Sequence, residues 1–259
     1  MLSRILKLTL LAQCLLVSVA HAEDLTADDI ARKMVRGDAF SWDGARAQVR
    51  MVLTGKDGKR QERKMDILGR RDKGLFRTMV RFVSPSSVAG TAFLMLERNG
   101  EPAEQYVYLS GLKRTRRIVG REQESSFMGS DFSYADLQGV AENYTTNKRL
   151  PDEKIGSAET YVISTELSPK APAKYSKIVA WVRKSDLVAL RTRFYDRSGK
   201  LLKTLYARKV KQLEGKPVVV EARMENQQSG HATEFFVDGI ERKDDIPDVA
   251  FTPSALEHY

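Results

Sequence analysis

The sequence predicts a mainly β domain of the α+β class: an antiparallel barrel or strongly curved sheet of about eleven strands, with one N-terminal helix and one short helical insert. Three observations predict it. Short segments of alternating apolar and polar residues recur along most of the chain, polar turn clusters separate them, and the alternation stops between Leu112 and Leu150. The 259 residues are 42% apolar and 30% charged, a composition that excludes a disordered chain and a polytopic membrane protein.

Residues 1–22 are set apart from the domain that follows. Arg4 and Lys7 precede an apolar run from Leu8 to Ala20, and the run ends in the small-residue pattern Ala20-His21-Ala22. This predicts a signal peptide cleaved after Ala22, hence an exported, periplasmic protein, with residues 23–259 forming one domain. The run is shorter than a bilayer span and Gln13 interrupts it, which argues against an anchor. Cleavage removes Cys14, the only cysteine, so neither a disulfide nor a thiolate ligand is expected. It also lowers the formal charge of +9 by two, and the domain stays basic.

Thr26-Ala-Asp-Asp29 has capping-box spacing, Ile30, Met34 and Val35 share a face, and Gly37 supplies a stop, so a helix is expected there. Val49, Met51 and Leu53 alternate with polar neighbours and begin the strand series, followed by runs at 63–69, 76–83, 91–97 and 105–110. A second series covers 160–166, 177–183, 188–195, 202–213, 218–226 and 233–240. Turns such as Lys56-Asp-Gly-Lys59, Arg98-Asn-Gly-Glu101 and Asp196-Arg-Ser-Gly199 give hairpin spacing. Inside the intervening segment, Ser133-Tyr-Ala-Asp136 has capping-box spacing and Gly139 is a stop, which predicts a short helix.

Little in the chain supports catalysis. His231 and His258 are far apart in sequence and fit no metal-binding spacing, so they are read as surface histidines, and no nucleophile elbow, Walker loop or dinucleotide fingerprint occurs. The acidic pairs Asp28-Asp29 and Asp244-Asp245 are read as solvated charge at a helix start and in a loop. No enzyme, cofactor or metal is expected, and nucleic acid does not suit an exported protein. A paired-carboxylate hydrolase would need a cleft that only a structure shows.

Three features depart from an ordinary sheet. Lys113, Arg114, Arg116 and Arg117, with Arg121 beyond, put positive charge on both faces of any strand they form, so they belong at a rim. There they protect an edge or meet anionic head groups or an acidic partner. Phe127, Met128, Phe132 and Tyr134 cluster around Gly129 in the segment without alternation, as a plug or as a lid over a hydrophobic cavity. Phe93 and Met95 oppose Leu94 and Leu96, and Trp181 opposes Ala180 and Val182, so both sheet faces are apolar. With few helices to cover them, a cavity lined by Phe93, Met95 and Trp181 is expected.

Three segments carry a resemblance: Phe82-Val-Ser-Pro-Ser-Ser-Val-Ala-Gly-Thr-Ala-Phe-Leu94, Tyr108-Leu-Ser-Gly-Leu-Lys-Arg-Thr-Arg-Arg-Ile118 and Ser126-Phe-Met-Gly-Ser-Asp-Phe-Ser-Tyr-Ala-Asp-Leu137. Together they resemble the exported outer membrane lipoprotein-sorting proteins, related in fold to the periplasmic lipoprotein carrier LolA and its acceptor LolB. Ser110-Gly111 stands where the family pattern has a proline. The resemblance implies an incomplete antiparallel barrel wrapped over helices, with a cavity that receives acyl chains. It also implies a lid-locking arginine, for which Arg50 and Arg77 are candidates as basic residues on strands, and association with an inner-membrane exporter of the resistance-nodulation-division type.

The leading expectation is a non-catalytic carrier or chaperone that shields lipid or lipoprotein acyl chains on the way to the outer membrane. Burying each methylene contributes about 0.8 kcal/mol, so an acyl chain crossing water needs an apolar host. The alternative is an accessory subunit that docks on such an exporter through the basic rim and carries nothing.

Overall fold

The computed structural model describes residues 25–36, 44–139 and 142–258. The expected signal peptide, Cys14 and the Gly37 stop lie outside them. Helix α1 (Ala27–Arg36) starts as expected: the Thr26 hydroxyl accepts from the Asp29 backbone N–H at 3.1 Å and donates to the Asp29 carboxylate at 2.6 Å. That hydroxyl holds the Asp29 pKa below its usual value.

The strands are β1 (Gly44–Thr54), β2 (Arg60–Asp72), β3 (Leu75–Ser84), β4 (Ala92–Arg98), β5 (Glu101–Leu109), β6 (Arg114–Ile118), β7 (Thr145–Ile155), β8 (Ala158–Leu167), β9 (Tyr175–Arg183), β10 (Ala189–Asp196), β11 (Leu201–Leu213), β12 (Lys216–Asn226) and β13 (Ala232–Arg242). They form one antiparallel sheet in the order β6-β5-β4-β3-β2-β1-β13-β12-β11-β10-β9-β8-β7. Every expected run is a strand, and β6 and β7 are two more. Both sit at the ends of the sheet, where a strand has one neighbour and needs no regular apolar face.

The connectivity explains the shape. Strands adjacent in sequence pair along two meanders, and β1 with β13 welds the meanders together, with Met51 opposite Phe235. Following the chain round, the sheet is broken only between β6 and β7. The segment that joins those two free edges includes residues 119–139, and it holds helix α2 (Tyr134–Gln138). The expected capping box is present: the Asp136 N–H donates to the Ser133 hydroxyl at 3.2 Å, and the Ser133 N–H donates to the Asp136 carboxylate at 2.6 Å. Gly139, at φ 71°, closes the helix in a conformation that suits glycine.

This insert lies on the sheet face that also carries α1, called the inner face below. On β9, Ile178 packs with the insert cluster around Ala135, while Ala180 and Val182 pack beneath Ile30 of α1. The opposite, outer face of the first meander is covered by the C-terminal residues. Ile246, Phe251 and Leu256 bury against Met79, Ala92 and Leu94. Arg81 fastens this segment by donating to the carbonyls of Ala255 at 2.8 Å, Leu256 at 3.2 Å and His258 at 2.9 Å. Both apolar faces of β4 are thereby covered, Phe93 inward and Leu94 outward. Helices are few, as expected, and irregular segments do the covering in their place.

Candidate functional site

The inner face and the insert form the candidate site. A tight loop aims the insert's aromatic residues: the Phe127 N–H donates to the Phe132 carbonyl at 2.7 Å, across Met128 and Gly129, which both have positive φ. Phe127 is 3% exposed, with its ring centroid 5.3 Å from Phe93, 5.6 Å from Tyr134 and 6.0 Å from Phe82. Phe132 stands edge-on to Phe235 at 4.9 Å. Met95, Met128 and Phe132 border the same cluster. Six of the seven aromatic and apolar candidates therefore meet, and Phe127 fills the space in front of Phe93. Burial raises the pKa of the Tyr134 hydroxyl, which reinforces its neutral form.

Trp181 does not join them. It lies on the outer face with Val162 and Val179, 4% exposed beneath the guanidinium groups of Arg191, 3.8 Å from its ring centroid, and Arg193, at 5.2 Å. Its indole N–H donates to Glu153 at 2.8 Å. Both faces of β9 are apolar, so the pattern that nominated Trp181 did not say which face it occupied. Two surface hollows, one beside Asp72, Arg77 and Phe251 and the other beside Pro102, Arg117 and Tyr144, are lined by none of Phe93, Phe127, Phe132 and Tyr134.

Polar contacts fix the insert to the sheet. Arg63 of β2 donates to the Met128 carbonyl, and burial lowers its pKa. Arg50 and Arg77 are engaged elsewhere, Arg50 with Asp238 at 2.7 Å and Arg77 with Asp72 at 2.5 Å, so neither holds the insert. Gln105 of β5 donates to the Tyr134 carbonyl at 2.8 Å. The Thr233 hydroxyl of β13 donates to the Asp131 carboxylate at 2.7 Å, and His231 Nδ1 lies 2.8 Å from the same oxygen. His231, read from sequence as a surface histidine, is thus partly exposed and also tied to the insert.

The deepest contact involves Lys203 of β11, whose side chain is 2% exposed. Its Nζ donates to Asp136 Oδ2 at 2.5 Å and to the Asp131 carbonyl at 2.7 Å. The Tyr175 hydroxyl of β9 donates to the other oxygen of Asp136 at 2.6 Å. Burial pushes the Lys203 pKa down, against the pull of Asp136, and burial together with Asp136 raises that of Tyr175. Sequence reading missed Arg63, Lys203, Asp131, Asp136 and Tyr175 as site residues. One signal for Lys203 was available: it lies two positions before Leu205, which packs with the insert cluster around Ala135.

Arg114, Arg116 and Arg117 lie on edge strand β6, with Lys113 just before it and Arg121 just after it. Arg116 pairs with Glu122, and Arg117 lies 3.5 Å from Glu104 and over the Tyr106 ring. Lys113, Arg114 and Arg121 are exposed. Among the described residues, no group of three or more His, Cys, Asp or Glu is placed to hold a metal ion.

A family model whose description reads "Uncharacterized protein" matches residues 74–258. The chain belongs to this family. Its fold is LolA-like. A structure described as an outer membrane lipoprotein-sorting protein domain, from Vibrio parahaemolyticus, is 29% identical with a TM-score of 0.83, over 90% of this chain and 98% of that one. A DUF1329 family protein from Desulfovibrio piger is 24% identical with a TM-score of 0.82, over 89% and 99% of the two chains. A LolA superfamily protein from Nitrosomonas europaea shares the LolA-like fold at 21% identity, with a TM-score of 0.69 over 88% and 98%. No curated protein matches the chain significantly.

Proposed function

We propose that the protein is a non-catalytic periplasmic carrier that receives acyl chains of lipids or lipoproteins on its inner face, with residues 119–139 as the lid. The observation that carries this reading is the seat of the insert. It runs from one free edge of an open sheet toward the other, and it places Phe127 and Phe132 against an apolar wall. Those rings occupy the volume that an acyl chain would take, and a handful of polar contacts hold them there. The likeness to a lipoprotein-sorting domain supports the same reading. Lys113, Arg114, Arg116, Arg117 and Arg121 meet anionic head groups or a partner at the rim, near the root of the lid.

Native mass spectrometry of protein purified from the periplasm without detergent tests it. A stoichiometric acylated species is expected, and it is expected to be absent from a folded Phe132→Asp variant. A clean apo mass that persists after incubation with phospholipid and lipopeptide would overturn the carrier reading. The filled inner face favours a second reading, an accessory subunit docked on an inner-membrane exporter of the resistance-nodulation-division type. Reversing the charge of Arg114, Arg116 and Arg117 would then break a crosslinked complex.

A further inference from the structure

The contacts that hold the insert place a cation and its counter-charge on different parts of the protein. Lys203 belongs to the sheet, and both oxygens that its Nζ reaches belong to the insert, one on Asp136 and one on Asp131. On the sheet side the ammonium faces rings: the Tyr175 and Phe194 centroids each lie 5.3 Å from Nζ. Lifting the insert therefore removes the Asp136 carboxylate and the Asp131 carbonyl together and leaves an ammonium on an apolar wall. An unpaired charge in such a place is costly, and whatever replaces the insert must neutralise it.

The Asp136 carboxylate is held by both of its oxygens from the sheet, Oδ2 by Lys203 and Oδ1 by the Tyr175 hydroxyl at 2.6 Å. Two donors from β9 and β11, the strands on either side of β10, thus form a seat for a two-oxygen anion. Phe132 lies within the same cluster as Tyr175 and Phe194, so the seat opens directly onto the apolar wall. In the closed state the insert supplies both parts of a ligand, a carboxylate for the head and aromatic rings for the chain.

We infer that Lys203 and Tyr175 form the head-group site of the carrier, and that the ligand is an amphiphile whose anionic head, carboxylate or phosphate, replaces Asp136 while its acyl chain replaces Phe127 and Phe132. The inference rests on the carrier reading above and deepens it by naming the ligand class. A neutral amphiphile of the same length fills the apolar wall but strands the ammonium, so the site selects by charge. Arg63 also reaches the insert, but it takes the neutral Met128 carbonyl and carries no such selectivity.

The test compares dansyl-undecanoic acid with its methyl ester, which share one chain and differ in head charge, by fluorescence titration of the full mature chain. The acid is expected to bind about tenfold tighter or more, the scale of a charge-assisted hydrogen bond. In Lys203→Met the gap should close while ester binding persists. Lys203→Met combined with Asp136→Leu removes both charges and repeats the comparison without a stranded carboxylate. Equal binding of acid and ester by the native chain would overturn the head-group site and leave the carrier reading standing. Failure of both probes to bind would overturn both. Displacement of the acid by sodium phosphate at equal concentration would show a site for free anions and overturn the amphiphile assignment.

Discussion

Lys203 Nζ and Asp136 Oδ2 meet at 2.5 Å with side chains 2% and 5% exposed, although one stands on β11 and the other on the insert helix. Such a pair is asymmetric in its energetics. Removing one partner leaves a buried charge, whereas replacing both with apolar groups of similar volume is close to neutral. Asp136→Ala is therefore expected to lower unfolding stability by about 3–5 kcal/mol. Lys203→Met with Asp136→Leu should recover most of that loss. Urea denaturation of the three proteins checks it, and a double variant as unstable as the sum of its single changes would refute the coupling.

The insert has a second attachment whose loss should be local. Arg63 donates to the carbonyl of Met128, a non-glycine residue at φ 51°. That left-handed conformation costs about 1–2 kcal/mol and persists only where surrounding contacts over-determine it. Arg63→Met is expected to speed amide exchange across 119–139 by about tenfold while β1 and β13 stay protected. Hydrogen exchange read by mass spectrometry separates this outcome from global unfolding, which would raise exchange everywhere.

The sheet was legible in the sequence wherever a strand has a buried face. Val49, Met51 and Leu53 show period two because all three point into one core. β6 and β7 were not legible as strands, because their burial is set by one neighbour. β6 buries only Ile118 fully, and β7 buries none of its residues and carries Pro151 at a register shift, a position an edge strand tolerates. The helix of the insert was legible through Ser133 and Asp136, yet the same Asp136 also neutralises Lys203, sixty-seven positions away. Capping spacing is local and visible, whereas a long-range partner exists only once the sheet has brought it there. Trp181 shows the converse failure: its apolar neighbours marked it as buried but not on which face.

The C-terminal segment is held by its backbone oxygens as well as by side-chain charge, since Arg70 pairs with Asp248. Arg81 satisfies the carbonyls of Ala255, Leu256 and His258, while Leu256 is buried against the outer face. Arg81→Met keeps the stem of the side chain and removes the donors, at a cost of about 1–3 kcal/mol. The expected result is a lower melting temperature and faster trimming of residues 243–258 by carboxypeptidase. Unchanged trimming would show that the contacts of Arg70 with Ile246 and Asp248, with the apolar burial of Ile246, Phe251 and Leu256, suffice to hold the segment.

The turn between β10 and β11 gives the fold a defined acid response. Asp196 accepts hydrogen bonds from the Ser198 hydroxyl at 2.7 Å, the Gln228 side chain at 2.7 Å and the Lys200 N–H at 3.0 Å, and these lower its pKa to about 2. A carboxyl group that binds its proton more weakly when folded stabilises the fold above its ordinary pKa. That contribution is lost as pH falls through the folded value, because the unfolded chain takes up the proton first. Asp196→Ala should therefore melt below the native protein at pH 7, and the difference should shrink between pH 4 and about 2 as the native carboxylate is protonated. Melting curves across that range, with the Asp196 carboxyl followed by NMR, test the sign directly. A gap that stays constant down to pH 2 would mean that Asp196 acts through packing of the turn and not through its charge.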